Sequence, residues 1–230
     1  MGLVTSRIRR PVQVGRKSAV TVTLALFAAV VVLVTIFILT ALNRIADHAN
    51  NLDEGRSQAT AAGMLRTFQD QLHATLNDYA AWDDAAIFVY GENSRDWMVS
   101  NIGQMTGRSD LFDVAVLVDA NRNVLIAYQD GRPASWAPSE FFDSSLWTLF
   151  DELVSSGQHG VFDTVGYTAT NKGVAATGIA LVRPKAGVLD KVPEERRYLI
   201  FARHLDDGKV ARLSEAYAIE GLDVLTNGEK

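Results

Sequence analysis

The chain has 230 residues and no cysteine, and its 22 basic and 27 acidic residues give a formal net charge of −5. Without cysteine, the protein has neither disulfide crosslinks nor thiol chemistry, and the acidic balance argues against nucleic acid as a partner. Its hydrophobic content of 48% is ordinary for a globular protein, so the distribution of the apolar residues is more informative than their number.

Residues 18–42 contain no charged side chain and are dense in Val, Leu, Ile and Phe. As a helix, this run of roughly 24 apolar residues would be about 36 Å long, enough to cross the hydrocarbon core of a bilayer. The apolar region of a cleavable signal peptide has only about 7–15 residues. We therefore predict an uncleaved signal anchor that places residues 18–42 in the lipid bilayer.

The charges on either side of this span predict its orientation. Residues 1–17 contain five basic residues and no acidic one, as is typical of a flank that stays in the cytoplasm. Removing these five leaves 17 basic residues against 27 acidic ones, so the chain from residue 43 onward has a net charge of −10. We expect this acidic part in the periplasm, outside the bacterial inner (cytoplasmic) membrane.

Beyond the span, apolar and small residues recur at spacings of three and four as far as Tyr79, which predicts one amphipathic helix continuing out of the membrane. Its first part presents a narrow stripe of Leu42, Ile45, Ala49 and Leu52. A helix pair uses such a stripe. We therefore expect residues 43–64 to form a juxtamembrane homodimer contact; the alternative is a helix packed on its own domain.

The rest of the chain alternates strand and helix patterns. Two hairpins are predicted, 113–119 with 123–130 and 161–168 with 174–182, and a fifth strand at 198–205. Between the hairpins, Ser139 is the expected N-cap of a helix that stops at Gly157. A last helix follows the fifth strand. The order predicts an α+β fold: a long N-terminal helix continuous with the membrane span, then an antiparallel sheet of about five strands with helices on one face.

The segment at 78–97, DYAAWDDAAIFVYGENSRDW, interleaves aromatic rings with carboxylates. On one continuous helix, Tyr79, Trp82 and Asp83 lie three or four residues apart and share a face. Asp83 could then accept hydrogen bonds from a ligand ammonium group, while the two rings stack on the ligand or make cation–π contacts. Two alternatives remain: the rings are core with Asp83 solvated or capping a helix, or Asp83 fixes the helix-to-sheet junction without touching a ligand.

Four further residues complete the candidate ligand site. Tyr90, Trp97 and Asn101 follow an expected helix break at Gly91 and could close the pocket. Arg203, on the last strand, could bind a carboxylate ligand in bidentate fashion. The alternative for Arg203 is an exposed strand charge.

Signatures of catalysis are missing. The four histidines are isolated from one another, and no G-x-S-x-G, P-loop or G-x-G-x-x-G motif occurs. Asp119 begins a D-x-N-x-N stretch, but the glycine and glutamate of a calcium loop do not follow, so a turn is expected there. We therefore expect no enzymatic activity in this chain, no catalytic residue, no cofactor and no metal.

Several short stretches resemble the CHASE sensory domains, specifically the fourth type of that series. These stretches are DYAAWDD at 78–84, Trp97 with Asn101, D-x-N-x-N-V at 119–124, ALVRP at 180–184 and YLIFARHLDD at 198–207. The resemblance covers roughly residues 50–225. It implies a Cache- or PAS-like fold and a periplasmic ligand-sensing domain of a bacterial transmembrane receptor, whose ligand the sequence does not identify.

The output of such receptors is commonly a GGDEF/EAL enzyme of cyclic-di-GMP signalling or a histidine kinase. The chain has no such signature and no second apolar span, so we expect it to be the input part of a longer receptor. The alternative is a membrane-tethered envelope scaffold that binds no small molecule. The predicted organisation is a cytoplasmic basic segment (1–17), the signal anchor (18–42), a signalling helix (43–64), the sensor domain (65–225) and a tail toward a second span (226–230).

Overall fold

A computed structural model describes residues 16–91, 95–156, 160–184 and 195–217. The predicted basic segment before residue 16, most of the charged loop between the fourth and fifth predicted strands, and the tail at 226–230 lie outside the described residues. The chain divides into two compact units, Met1–Ser57 and Gln58–Lys230. The first helix, α1, begins at Arg16 and ends at Ala80 and thus contributes to both units.

The first unit contains the predicted membrane span. Val20–Ile45 is helical, has a mean hydropathy of 3.0, and buries none of its most apolar stretch inside the protein. A helix that is apolar all round is stable only where something apolar covers it. Its length and composition suggest a membrane anchor near the amino terminus.

The second unit is an α+β domain, as predicted. Its further helices are α2 (Asp83–Tyr90), α3 (Arg95–Met98), α4 (Pro138–Phe141), α5 (Ser145–Ser156) and α6 (Asp207–Tyr217). Its strands are β1 (Val114–Asp119), β2 (Val124–Gln129), β3 (Arg132–Pro133), β4 (Asp163–Thr170), β5 (Gly173–Leu181) and β6 (Arg197–His204). Between α3 and β1 the chain makes a π-helical turn, Val99–Gly103, and a 3₁₀ turn, Gln104–Gly107.

The six strands form one open antiparallel sheet in the order β3-β2-β1-β6-β5-β4. Strand β1 pairs with β2 on one side and with β6 on the other, so the first and last strands lie side by side at the centre. All five predicted strands are confirmed. The sixth, β3, is a two-residue edge strand on β2, and its proline is tolerated there because an edge position leaves one side of the strand unpaired.

Helices pack on both faces of this sheet, whereas the order of the predicted elements indicated helices on one face. One face is covered by α1, whose Phe68, Leu72, Leu76 and Ala80 are buried against the sheet, together with α2. The other face is covered by α4 and α5, with Phe150 among the buried side chains. Residues 114–118 of β1 and 198–202 of β6 are therefore all buried, because both sides of the sheet are core in the middle of these two central strands.

The predicted helix from Ser139 is two helices rather than one. After the single turn of α4, Phe142 pairs with Thr170 at the end of β4, and the backbone N–H of Asp143 donates to Ala169 O at 3.0 Å. The Asp143 carboxylate then accepts a hydrogen bond of 3.2 Å from the backbone N–H of Ser145, the first residue of α5. The pairing with the sheet interrupts the helix, and Asp143 supports the start of the next one.

Candidate functional site

Helix α1 ends at Ala80, inside the segment 78–97 that interleaves aromatic rings with carboxylates. Trp82 has φ −121° and ψ 130°, an extended conformation, and α2 begins one residue later. The carbonyl oxygen of Ala80 accepts a hydrogen bond of 2.9 Å from Arg183 N, which follows β5. The prediction that Tyr79, Trp82 and Asp83 share one helix face is therefore wrong, because two helices meet between them.

The acidic pair occupies the first turn of α2. Asp83 and Asp84 are its first two residues, and both are exposed. Carboxylates in the first turn are stabilised by the positive end of the helix dipole, by about 0.3–1 kcal/mol each. The predicted helix break at Gly91 is confirmed, since α2 ends at Tyr90. A Cβ at Gly91 would lie 2.9 Å from Ile87 O, which makes a larger residue costly there.

Tyr90 joins α2 to the ends of two strands. Its hydroxyl donates to Val182 O at 3.0 Å and accepts from Arg197 N at 3.0 Å. The guanidinium of Arg197 lies 5.5 Å from the centre of the Tyr90 ring and donates to Val89 O. Burial raises the pKa of Tyr90, and the backbone hydrogen bond and charge of Arg197 offset only part of the rise. The phenol is thus a neutral structural group with both hydrogen-bonding capacities in use.

An open cleft lies where α1 ends and the π-helical and 3₁₀ turns pass it. Its volume is about 450 Å³, and the lining residues are Asp78, Tyr79, Trp82, Asn101 and Met105. This volume falls within the range of small-molecule sites, about 300–1,000 Å³. π-Helical turns are rare and occur frequently at functional sites. The cleft is therefore the candidate functional site.

The aromatic walls of the cleft are held in place by other rings. Tyr79 packs edge-on against Phe112 and Phe201, with ring centres 5.6 and 5.3 Å away. Trp82, which is 38% exposed, lies 5.4 Å from Trp97 in a tilted arrangement. Burial raises the pKa of the Tyr79 phenol, so this hydroxyl stays protonated and can act as a hydrogen-bond donor.

Asn101, which also lines the cleft, is oriented by a hydrogen bond to the preceding helical turn. Its amide nitrogen donates to Trp97 O at 2.9 Å. Phe88 stacks on Trp97 with ring centres 5.0 Å apart and planes 10° apart. Trp97 therefore supports both the Trp82 ring and the Asn101 amide from behind, although it does not itself line the cleft.

The structure brings together three of the seven predicted ligand residues: Tyr79, Trp82 and Asn101. Asp83 and Tyr90 lie on α2 and are not among the lining residues. Sequence reasoning missed Asp78 and Met105. A signal for each existed, because Asp78 directly precedes Tyr79 and Met105 lies four residues after Asn101, one helical turn away.

Arg203 lies apart from the cleft, under α1. Its guanidinium donates to Gln71 Oε1 at 3.0 Å and lies 4.0 Å from the centre of the Phe68 ring. Its Nε is buried and makes no hydrogen bond to any residue that the structure describes. Burial lowers the pKa of Arg203, and nearby carboxylates, Asp113 first, oppose this. Its contacts are those of a strand residue packed against a helix.

No group of three or more His, Asp or Glu side chains within the described ranges is arranged to hold a metal ion.

The described residues thus form a sheet covered by helices on both faces, with an open cleft beside it that is lined by aromatic and acidic side chains. Residues 64–225, more than half of the chain, match the model of the CHASE4 domain, and the chain belongs to this family of sensory, non-catalytic domains. A search of curated proteins gives no match.

Proposed function

We propose that this chain is the periplasmic ligand-sensing part of a membrane-anchored bacterial receptor, and that its ligand binds in the cleft between Trp82 and Asn101. The observation that carries the proposal is the cleft itself, an open site of about 450 Å³ with two aromatic walls and one carboxylate, in a domain of a sensory family. Such a combination of apolar walls and a few polar groups is typical of small-molecule sites.

Ligand binding at this place would act on a joint between elements. Asp78 and Tyr79 belong to the last turns of α1, Trp82 is the extended residue between α1 and α2, and Asn101 belongs to the π-helical turn. A ligand that contacts all of these residues stabilises the arrangement of the junction between α1 and α2 that brings them closest together. It can shift the equilibrium between two such arrangements only by the difference between its affinities for them.

The test is a ligand screen of the full chain in lipid nanodiscs, followed by thermal unfolding with amines, amino acids, carboxylates and sugars. Any compound that raises the unfolding temperature is then tested on Asp78→Asn and Asp83→Asn. Both residues are exposed acids near the helix junction, but only Asp78 lines the cleft. We expect the shift to be lost in Asp78→Asn and retained in Asp83→Asn; the reverse pattern, or equal shifts, would place the ligand elsewhere.

The orientation and the output of the receptor are parts of the same proposal. The five basic residues before residue 18 support a cytoplasmic amino terminus. The sensory family supports an input role, and the resemblance noted above supports a GGDEF/EAL protein or a histidine kinase as output and a Cache- or PAS-like ancestry of the fold. An alkaline phosphatase fusion after residue 217 should be active if the domain is periplasmic. An inactive fusion in an inserted protein would contradict that location.

We also propose a homodimer through residues 43–64. The support is the apolar stripe, of which Leu42 and Ile45 are exposed in the structure. Because the chain has no cysteine, single cysteines report contacts without background. Ala49→Cys, on the stripe, should crosslink in membranes, whereas Asp47→Cys, off the stripe, should crosslink much less. Equal crosslinking at both positions would argue against a specific helix pair.

A further inference from the structure

The chemistry of the cleft narrows the class of ligand, an inference that rests on the proposed function. Its one charged lining residue is Asp78, and the other four are two aromatic residues, a thioether and an amide. Within the part of the chain that the structure describes, no hydrogen bond or ion pair engages the Asp78 carboxylate. We propose that the cleft binds an organic cation whose head group is an alkylated ammonium.

A cation fits better than an anion because of these lining groups. An anionic ligand would place a second negative charge beside Asp78, which costs free energy at short range. The ring faces of Trp82 and Tyr79 carry negative partial charge and attract a cation within about 6 Å of their centres. The carboxylate of Asp78 and the rings of Tyr79 and Trp82 therefore all attract a positively charged head group in the cleft.

An alkylated head group fits better than a primary ammonium because of hydration. A primary ammonium is strongly hydrated and needs three acceptors when it leaves water. The one carboxylate of the cleft is its ionised acceptor, and its other side-chain oxygens, the Asn101 amide oxygen and the Tyr79 hydroxyl, are neutral acceptors. Three of the five lining side chains, those of Tyr79, Trp82 and Met105, present apolar or aromatic surface that alkyl groups can cover.

The walls are preorganised for such a ligand. Trp97 packs against both Trp82 and Phe88, with ring centres 5.4 and 5.0 Å away. Tyr79 is held edge-on by Phe112 and Phe201. Rings that are already fixed lose little conformational entropy when a ligand binds. Trp97 is accordingly a positioning residue, and its replacement should weaken binding without removing a direct contact.

The test uses three matched probes on the full chain in nanodiscs, measured by isothermal titration calorimetry. Choline carries a trimethylated ammonium, ethanolamine carries a primary one, and 3,3-dimethylbutan-1-ol is the neutral isostere of choline. We expect choline to bind roughly tenfold or more tightly than either of the others. Asp78→Asn and Trp82→Ala should each reduce choline affinity at least about fivefold, and Asp83→Asn should leave it unchanged.

The possible outcomes separate this inference from the proposed function. If the neutral isostere binds as tightly as choline, the charge of the ligand is irrelevant to binding. If ethanolamine binds as tightly as choline, alkylation of the ammonium is irrelevant. Either result overturns the inference. If no cation probe binds at concentrations up to about 10 mM, the inference is also wrong. The proposed function is tested separately. It is supported if a compound of another class raises the unfolding temperature of the wild type but not that of Asp78→Asn, and it is contradicted if no compound does so.

Discussion

The carboxylate of Asp113 should be one of the most important polar side chains for the stability of the domain. It lies just before β1 and is 17% exposed. One oxygen contacts His204 Nδ1 at 2.6 Å; the other accepts from His204 N at 3.0 Å and from Lys209 Nζ at 3.2 Å. Lys209 also reaches Asp206, whose carboxylate accepts from Lys209 N and thereby caps α6. A single carboxylate thus ties β1, β6 and α6 together.

The expected cost of removing this carboxylate follows from its burial. Removing one member of a largely buried charged pair costs about 3–5 kcal/mol, because the partners remain without compensation. We therefore expect Asp113→Ala to lower the free energy of unfolding by about 3–5 kcal/mol. For a domain of this size each kcal/mol lowers the midpoint of thermal unfolding by about 2–4 °C, so the expected decrease is roughly 6–20 °C.

The matched control is Asp151→Ala. Asp151 pairs with Arg122 at 2.5 Å, but the two side chains are 61% and 41% exposed. Exposed pairs contribute at most about 1 kcal/mol because water screens them. Circular dichroism of both variants in nanodiscs measures the two midpoints. Equal decreases for the two variants would refute the argument that the Asp113 contacts contribute more to stability because they are buried.

The same cluster predicts a dependence on pH. Burial by itself would raise the pKa of Asp113, but the hydrogen bonds and charge of His204, and then the charge of Lys209, outweigh it and lower the pKa. A lowered folded-state pKa means that the ionised carboxylate stabilises the fold above the unfolded value of about 3.9. This contribution is lost as the pH falls through the lowered pKa. The unfolding midpoint of wild type should therefore fall more steeply below about pH 4 than that of Asp113→Asn.

Three smaller substitutions test the packing. A Cβ at Gly103 would lie 2.7 Å from the ring of Tyr128, so Gly103→Ala should destabilise the domain by about 1–3 kcal/mol through overpacking. A methyl group added at Gly63 on α1 would meet no atom within 4 Å, so Gly63→Ala should instead stabilise the domain by up to about 1 kcal/mol. Tyr167→Phe removes the 2.7 Å hydrogen bond to Leu65 O that ties β4 to α1 and should cost about 1 kcal/mol. Denaturant unfolding measures all three, and a sign opposite to that expected would contradict the packing in each case.

The strands were predictable because local rules decide them. The turn between β1 and β2 is an example: Asp119 accepts hydrogen bonds from the backbone N–H groups of Asn121 and Asn123, both at 2.8 Å, and this local arrangement is what such a sequence favours. The split between α4 and α5 was not predictable, since Phe142 leaves the helix to pair with Thr170. The helix sequence alone does not indicate this pairing, because Thr170 lies 28 residues further along the chain.

The sequence predicted the aromatic and acidic character of the site but not which residues line it, because the end of α1 depends on a hydrogen bond from a residue far along the chain. Helical spacing placed Asp83 beside Tyr79 only on the assumption that the helix continues. Two backbone hydrogen bonds set the actual end: Ala81 N, just after α1, donates to Asn77 O at 2.8 Å, and Arg183 N, from beyond β5, donates to Ala80 O at 2.9 Å. With the Ala80 carbonyl engaged by Arg183, the chain turns at Trp82, and the two acids become the first turn of a new helix.

The resemblance motifs acquire a physical explanation from this joint. DYAAWDD at 78–84 and ALVRP at 180–184 contact each other, because Ala80 O accepts from Arg183 N, and the Tyr90 hydroxyl binds Val182 O. Each motif therefore contains residues that close the joint, and the first also supplies Asp78 to the cleft. An exposed acid that neither caps a helix nor pairs with a base within the described chain contributes little to folding. Replacing Asp78 therefore tests ligand binding with little effect on stability. We expect Asp78→Asn to fold as stably as wild type but no longer to respond to ligand.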